Sequence, residues 1–207
     1  YIDGWDSQMD FIIKNIETNH PIIDIASGKG YLVEKLLMKT KNYVVATDFS
    51  PTILMRNKEY YKANSLYDRL SLIAFDARKT PFRDNSIVTM TSNMGLQNIE
   101  QAGEVISELN RITQREFMAV MFFINKDDKT HIDLLNKYGN TAYATRDNAL
   151  ETYRRSGWDI EICNSFLAYI KPTPKGEILE GAGIDGFPVE DTRVEFCVIK
   201  ARKQEVC

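Results

Sequence analysis

Residues Ile22 to Leu32, IIDIASGKGYL, run from a short apolar block through a turn of small residues into an amphipathic stripe, Leu32, Val33, Leu36 and Leu37. A buried strand that turns this tightly into a helix is an α/β feature. In such a sheet the turn lies at the carboxyl end of the strand, where ligands bind. Gly28 and Gly30 remove side chains that would block close backbone approach, and a helix start offers N–H groups without intrahelical partners. The pattern then recurs along the chain. Met9, Ile12, Ile13 and Ile16 mark a preceding helix that ends at His20 and Pro21, and Tyr43 to Thr47 reads as a second strand. Ser50 with Pro51 opens a helix reaching Ala63. Leu70 to Phe75 and Ile87 to Ser92 are strands three and four; Ala102, Val105, Ile106 and Leu109 mark the next helix; Phe117 to Ile124 is a fifth, strongly apolar strand. This alternation predicts a mostly parallel sheet with helices on both faces.

Beyond Asn125 the signal changes. Helical stretches around Ile132 to Tyr138 and Asp147 to Arg155 lead to a strand at Asp159 to Ile170 and a last one at Thr192 to Ala201. Two strands joined without a helix should pair antiparallel. The connection between them, Lys171 to Glu190, is rich in Pro and Gly and far longer than a hairpin loop, so it is expected to help close a substrate pocket.

Composition narrows the function classes. Twenty-six Lys and Arg against 29 Asp and Glu leave a net charge of −3, so no global attraction to nucleic acid or an anionic membrane is expected. The longest apolar run is strand length, well short of the roughly 20 residues a spanning helix requires. Cys163, Cys197 and Cys207 are odd in number and form no CxxC pair, which argues against a disulfide framework or a zinc site and suits a reducing cytosol. The chain opens at Tyr1 without an initiator Met, so a longer product is expected.

Two ligand fingerprints fail at the glycine turn. A dinucleotide motif starting at Gly28 needs Gly or Ala where Val33 stands, and a phosphate loop needs Lys-Ser/Thr after its last glycine, where Lys29 instead precedes Gly30. What remains, D-x-x-x-G-x-G from Asp24, resembles the first motif of class I S-adenosylmethionine-dependent methyltransferases. Asp48, 18 positions after Gly30 at the end of strand two, suits both ribose hydroxyls, or alternatively caps the following helix. Phe49 then packs near the base or in the core. Phe75-Asp76-Ala77-Arg78 and Pro81-Phe82-Arg83-Asp84-Asn85-Ser86 are similar to the family's D-A-x-x-L-P-F-x-D-N-S stretch. Gly95-Leu96-Gln97-Asn98-Ile99 resembles the Gly-Leu-Arg-Asn-Val stretch of ubiquinone/menaquinone C-methyltransferase relatives, with Gln97 in place of Arg. The family's Lys-Pro-Gly-Gly turn before strand five is replaced by Ile112 to Glu116.

The resemblance implies a cofactor site of Asp24, Ala26, Ser27, Gly28 and Gly30 for the methionine part, Asp48 and Ser50 for the ribose side, Phe49, Asp76 and Ala77 for adenine, and Asn93 and Met94 beside the methyl group. It implies a Rossmann-like class I methyltransferase, a three-layer αβα sandwich with a seven-stranded, mostly parallel sheet whose last strand is antiparallel. Residues 1–207 form one domain: 1–20 an N-terminal helix that acts as a lid or packs on the sheet, 21–125 the cofactor half, 126–207 the substrate side. The expected reaction is in-line methyl transfer from S-adenosylmethionine to a small molecule in the cytoplasm, without metal or nucleic acid. Such a displacement mainly needs alignment. The candidate catalytic groups are Gln97 and His131, the latter facing substrate or, beside Asp127, Asp128 and Lys129, a solvated helix residue. His20 reads as a turn residue at the opposite end of the sheet. No [DNS]-P-P-[YFW] motif and no Pro-Cys pair is present. The alternatives are a degenerate cofactor-binding relative serving as a partner subunit and, against Val33, a nicotinamide-dependent oxidoreductase.

Overall fold

The computed structural model describes residues 2–137, 139–172 and 188–204. The first half alternates as α1 (Ile2–Asn15), β1 (Ile22–Asp24), α2 (Tyr31–Lys39), β2 (Val44–Asp48), α3 (Pro51–Ala63), β3 (Leu70–Ala74), β4 (Ile87–Asn93), α4 (Ala102–Ile112) and β5 (Thr113–Ile124). Three helices follow, α5 (Lys129–Lys137), α6 (Thr141–Ala144) and α7 (Arg146–Arg155), then β6 (Trp158–Ile170) and β7 (Thr192–Lys203). The seven strands lie in the order β3-β2-β1-β4-β5-β7-β6. β7 runs antiparallel to both β5 and β6, and the pairings from β3 through β5 are parallel. The strand-order reversal beside β1 puts a crevice at the carboxyl ends of β1 and β4.

Side-chain alternation along β5 explains its unbroken apolar run. Phe117, Ala119, Met121 and Phe123 join the core under α4, α6 and α7, whereas Met118 and Val120 join the core under α1 and α2. Both faces are therefore covered, giving the expected three layers. The α1 helix packs on the sheet: Met9 and Ile12 are buried against Ile22, Leu36 and Val198. Ion pairs from Asp6 and Asp10 to Lys35, and from Asp10 to Lys39, hold it to α2.

The elements differ from expectation in two places. β5 begins at Thr113, because Thr113 pairs with Ile87 across an irregularity in β4, so Thr113 to Glu116, expected to precede strand five, lie in the sheet. The four-residue α6 is too short to show a helical period. Of Lys171 to Glu190, residues 173–187 lie outside the described residues, as does Cys207. Cys163 and Cys197 are free thiols. Among the described residues no helix is long and apolar enough to cross a membrane.

Because Ile12 is fully buried, Ile12→Ala is expected to cost about 2–5 kcal/mol in urea denaturation. Truncating Tyr169, 76% exposed on β6, should change stability by less than about 0.5 kcal/mol.

Candidate functional site

Hydroxyl groups stitch together the carboxyl ends of β1, β2 and β4. Thr47 donates through Oγ1 to the Asp24 carbonyl at 2.9 Å, and the Ser27 hydroxyl donates to the same oxygen at 3.1 Å. Ser92 Oγ donates to the Ile25 carbonyl at 2.8 Å. The glycine turn rests on this frame. The Gly28 N–H donates to Asp48 Oδ2 at 2.8 Å, Asn57 Nδ2 donates to the Gly28 carbonyl at 2.8 Å, and the Tyr61 hydroxyl donates to the Gly30 carbonyl at 2.9 Å. Gly28 and Gly30 both have positive φ, and so do two non-glycine residues here, Ala26 and Met94. Such backbone costs about 1–3 kcal/mol per residue and clusters at ligand sites.

Asp24 is 1% exposed. Thr91 Oγ1 donates to its Oδ1 at 2.6 Å, while its Oδ2 has no hydrogen-bond partner among the described residues. Burial pushes the carboxyl group up to about 7, against the opposing hydrogen bond from Thr91. Next to it, Gly95 lies so close to the turn that a Cβ would stand 2.2 Å from the Ala26 carbonyl oxygen. The missing side chain thus lets Asn93 and Met94 approach Ala26.

Ser50, not Asp48, is the N-cap of α3, accepting from the Ile53 N–H at 3.4 Å. Asp48 instead accepts from the Ser50 N–H at 2.9 Å and from Gly28, which fixes its half-buried carboxylate across the turn. Phe49 is 67% exposed and so is not a core residue. Phe75 donates its N–H to the Asp48 carbonyl at 3.1 Å, bringing Asp76 and Ala77 to the same edge. Arg78 holds both oxygens of Asp76, with its closest contact at 2.7 Å, and these bonds keep the Asp76 pKa below its ordinary value. An adenine amino group would share that carboxylate with Arg78.

Two expectations are corrected. The space left by Gly30 is not open to a ligand, because a Cβ there would stand 2.0 Å from the Tyr61 hydroxyl. His131 is not solvated: it is fully buried, with Nδ1 2.8 Å from Asp128 Oδ2 and Nε2 accepting from the Val189 N–H at 3.1 Å. Thr192 Oγ1 also donates to Asp128 Oδ2. This clasp ties the start of α5 to the start of β7. Asp128, His131 and Glu190 bring one donor atom each within 4.8 Å of one another, a possible cation cluster. The imidazole is already committed, since its Nε2 lone pair faces a backbone N–H and its Nδ1 proton faces Asp128. Gln97 is 5% exposed, and its Nε2 donates to the Phe122 carbonyl at 3.0 Å. His20 is exposed in the turn before β1, at the far end of the sheet.

Sequence reasoning missed Asn57, Tyr61, Thr91 and Gly95. Asn57 and Tyr61, one helical turn apart on α3, carried a visible signal: a polar residue and an aromatic interrupting a helix face.

Residues 23–120 match a family model described as a methyltransferase domain. The ubiquinone/menaquinone biosynthesis C-methyltransferase UbiE of Rickettsia prowazekii is 26% identical over 113 residues, 52% of this chain and 45% of that protein. The chain spans about half the length of the curated relatives it matches. Among solved structures, the YcgJ protein from Bacillus subtilis superposes with TM-score 0.76 at 12% identity, covering 97% of this chain and 100% of that one. Geranyl diphosphate C-methyltransferase from Streptomyces coelicolor, solved with Mg2+, geranyl diphosphate and S-adenosyl-L-homocysteine, gives 0.67 at 12% identity, covering 96% of this chain and 80% of that one. These likenesses show the fold.

Gly30→Ala forces a Cβ onto Tyr61 at φ +79 and is expected to cost about 2–5 kcal/mol in chemical denaturation. Adding Tyr61→Phe should recover part of that loss, a coupling above about 0.5 kcal/mol. Strict additivity would show that the hydroxyl contact does not set the turn.

Proposed function

We propose that this chain, whose residues 23–120 match the methyltransferase-domain model within a class I methyltransferase fold, transfers a methyl group from S-adenosylmethionine to a small-molecule acceptor. The observation that carries this reading is the orphaned Oδ2 of Asp24, a buried acceptor beside a glycine turn with no donor among the described residues. A buried oxygen of this kind is costly unless a ligand supplies the donor, and the ammonium of an amino-acid moiety does so with charge. Asp48 supports the same ligand: each carboxylate oxygen accepts one backbone N–H and keeps a lone-pair site for a ribose hydroxyl. The exposed Phe49 ring offers a face to the base, and Asn93 and Met94 border the reacting end.

S-adenosylmethionine, when bound, supplies a methyl group already activated on a sulfonium. The residues of this chain therefore bind and align, with no proton step assigned. His131 is held by Asp128 and Val189, and the Gln97 amide by the Phe122 carbonyl, so both are positioning groups in this reading and the acceptor brings its own nucleophilic atom. A small-molecule acceptor fits structural neighbours whose names specify geranyl diphosphate and phosphoethanolamine chemistry. In the same reading residues 1–207 act as one domain in the cytoplasm, where Cys163 and Cys197 stay reduced.

Calorimetry is expected to show S-adenosylmethionine or S-adenosylhomocysteine binding at micromolar level and no binding of NAD. The reverse pattern sinks the reading. Asp48→Ala should weaken binding about ten-fold or more, the loss of a charge-assisted pair worth about 1.5–3 kcal/mol.

The pH dependence follows from Asp24. A ligand ammonium favours the carboxylate, so affinity should climb as pH rises from about 5 to about 7 and then level off, and Asp24→Asn should flatten the curve. Without ligand, the folded state holds this proton more tightly than the unfolded chain. Asp24 therefore removes stability as pH rises from its unperturbed 3.8 to about 7.

A further inference from the structure

Away from the glycine turn, a cavity of about 270 Å³ opens at the carboxyl end of β5. Phe123, Ile124 and Leu167 give it apolar walls, and Asn125, Arg146 and Arg193 give it polar ones. The sheet register builds it: Glu195 of β7 lies opposite both Phe123 of β5 and Leu167 of β6, so these side chains share one face, with Arg193 two residues before Glu195.

The charges here go against local preference. Arg146 is the first residue of α7, where the positive end of the helix dipole disfavours a cation. Glu195 holds its guanidinium at 2.8 Å. The Arg193 side chain is exposed and makes no hydrogen bond or ion pair among the described residues, while its backbone pairs with Tyr169 in the sheet. Two guanidiniums and a helix N-terminus thus face one carboxylate, a locally positive recess on a chain of net charge −3. The volume lies below the roughly 300–1,000 Å³ of pockets for drug-sized ligands, so the occupant is small.

We propose that this recess binds a small organic anion, a carboxylate or phosphate group on a short apolar body, with Arg193 and Arg146 holding the acid group and Phe123 and Leu167 the apolar part. That this anion is the methyl acceptor rests on the reading above; the binding itself does not. Glu195 orients Arg146, leaving its other N–H groups for the ligand.

Benzoate and phenyl phosphate are suitable probes, titrated into the protein while the amide resonances of Asn125 and Arg193 are followed. At least one should shift these resonances saturably, and the tighter of the two identifies the acid group. Arg193→Gln, at an exposed position that leaves the fold intact, should weaken that probe about ten-fold or more while S-adenosylhomocysteine affinity stays unchanged. Failure of both probes to perturb these amides, or equal probe affinity in Arg193→Gln, overturns the proposal. Loss of S-adenosylhomocysteine binding in the parent protein would instead count against the methyl-transfer reading, so the two failures are separable.

Discussion

The site depends on one constraint, that a glycine turn with left-handed backbone be held rigid at the carboxyl end of a three-residue strand. β1 is too short to do this through its own ladder. Side chains from three other elements supply the support: Thr47 and Asp48 from β2, Ser92 from β4, and Asn57 and Tyr61 from α3. Each bond ends on a backbone atom of the segment from Asp24 to Gly30. The turn geometry is therefore a property of the assembled sheet and of α3, and α3 is anchored in turn by the Ser50 cap.

This frame leaves a cost in place. Asp24 is buried with one oxygen bonded and the other not, and the nearby Ala26 and Met94 hold positive φ. A sequence selected only for stability would replace such features. Asparagine in place of Asp24 removes the titration, and glycine at the strained positions relieves the backbone. Their co-location at the strand-order reversal, where α/β sheets bind ligands, supports the proposed cofactor site.

Much of this was legible in the sequence. The alternation of apolar runs and helical stripes gave the strand order's raw material, the antiparallel final pair, and the start of α3 at Ser50-Pro51. The failures were those of side-chain direction, which the assembled fold sets and residue spacing does not. Gly30 looked open to a ligand because Tyr61, which fills that space, lies 31 residues away. His131 looked solvated because Asp127, Asp128 and Lys129 precede it, yet Asp128 turns inward to meet the ring and Thr192. Of the two readings of Asp48, ribose ligand or helix cap, the cap is excluded by the Ser50 hydroxyl two residues later. Arg78 clasps Asp76 from two residues away in the loop after β3, a side-chain direction that spacing alone does not encode.

The central claim is that the free oxygen of Asp24 awaits a cationic group of the ligand. Carbon-13 NMR of the Asp24 carboxyl, titrated with and without S-adenosylhomocysteine, tests it directly. The account predicts a midpoint near 7 in the free protein that falls by at least about one unit when the ligand is present, since each unit reflects about 1.4 kcal/mol of preference for the carboxylate. An Asp24 midpoint that does not move under saturating ligand would contradict it.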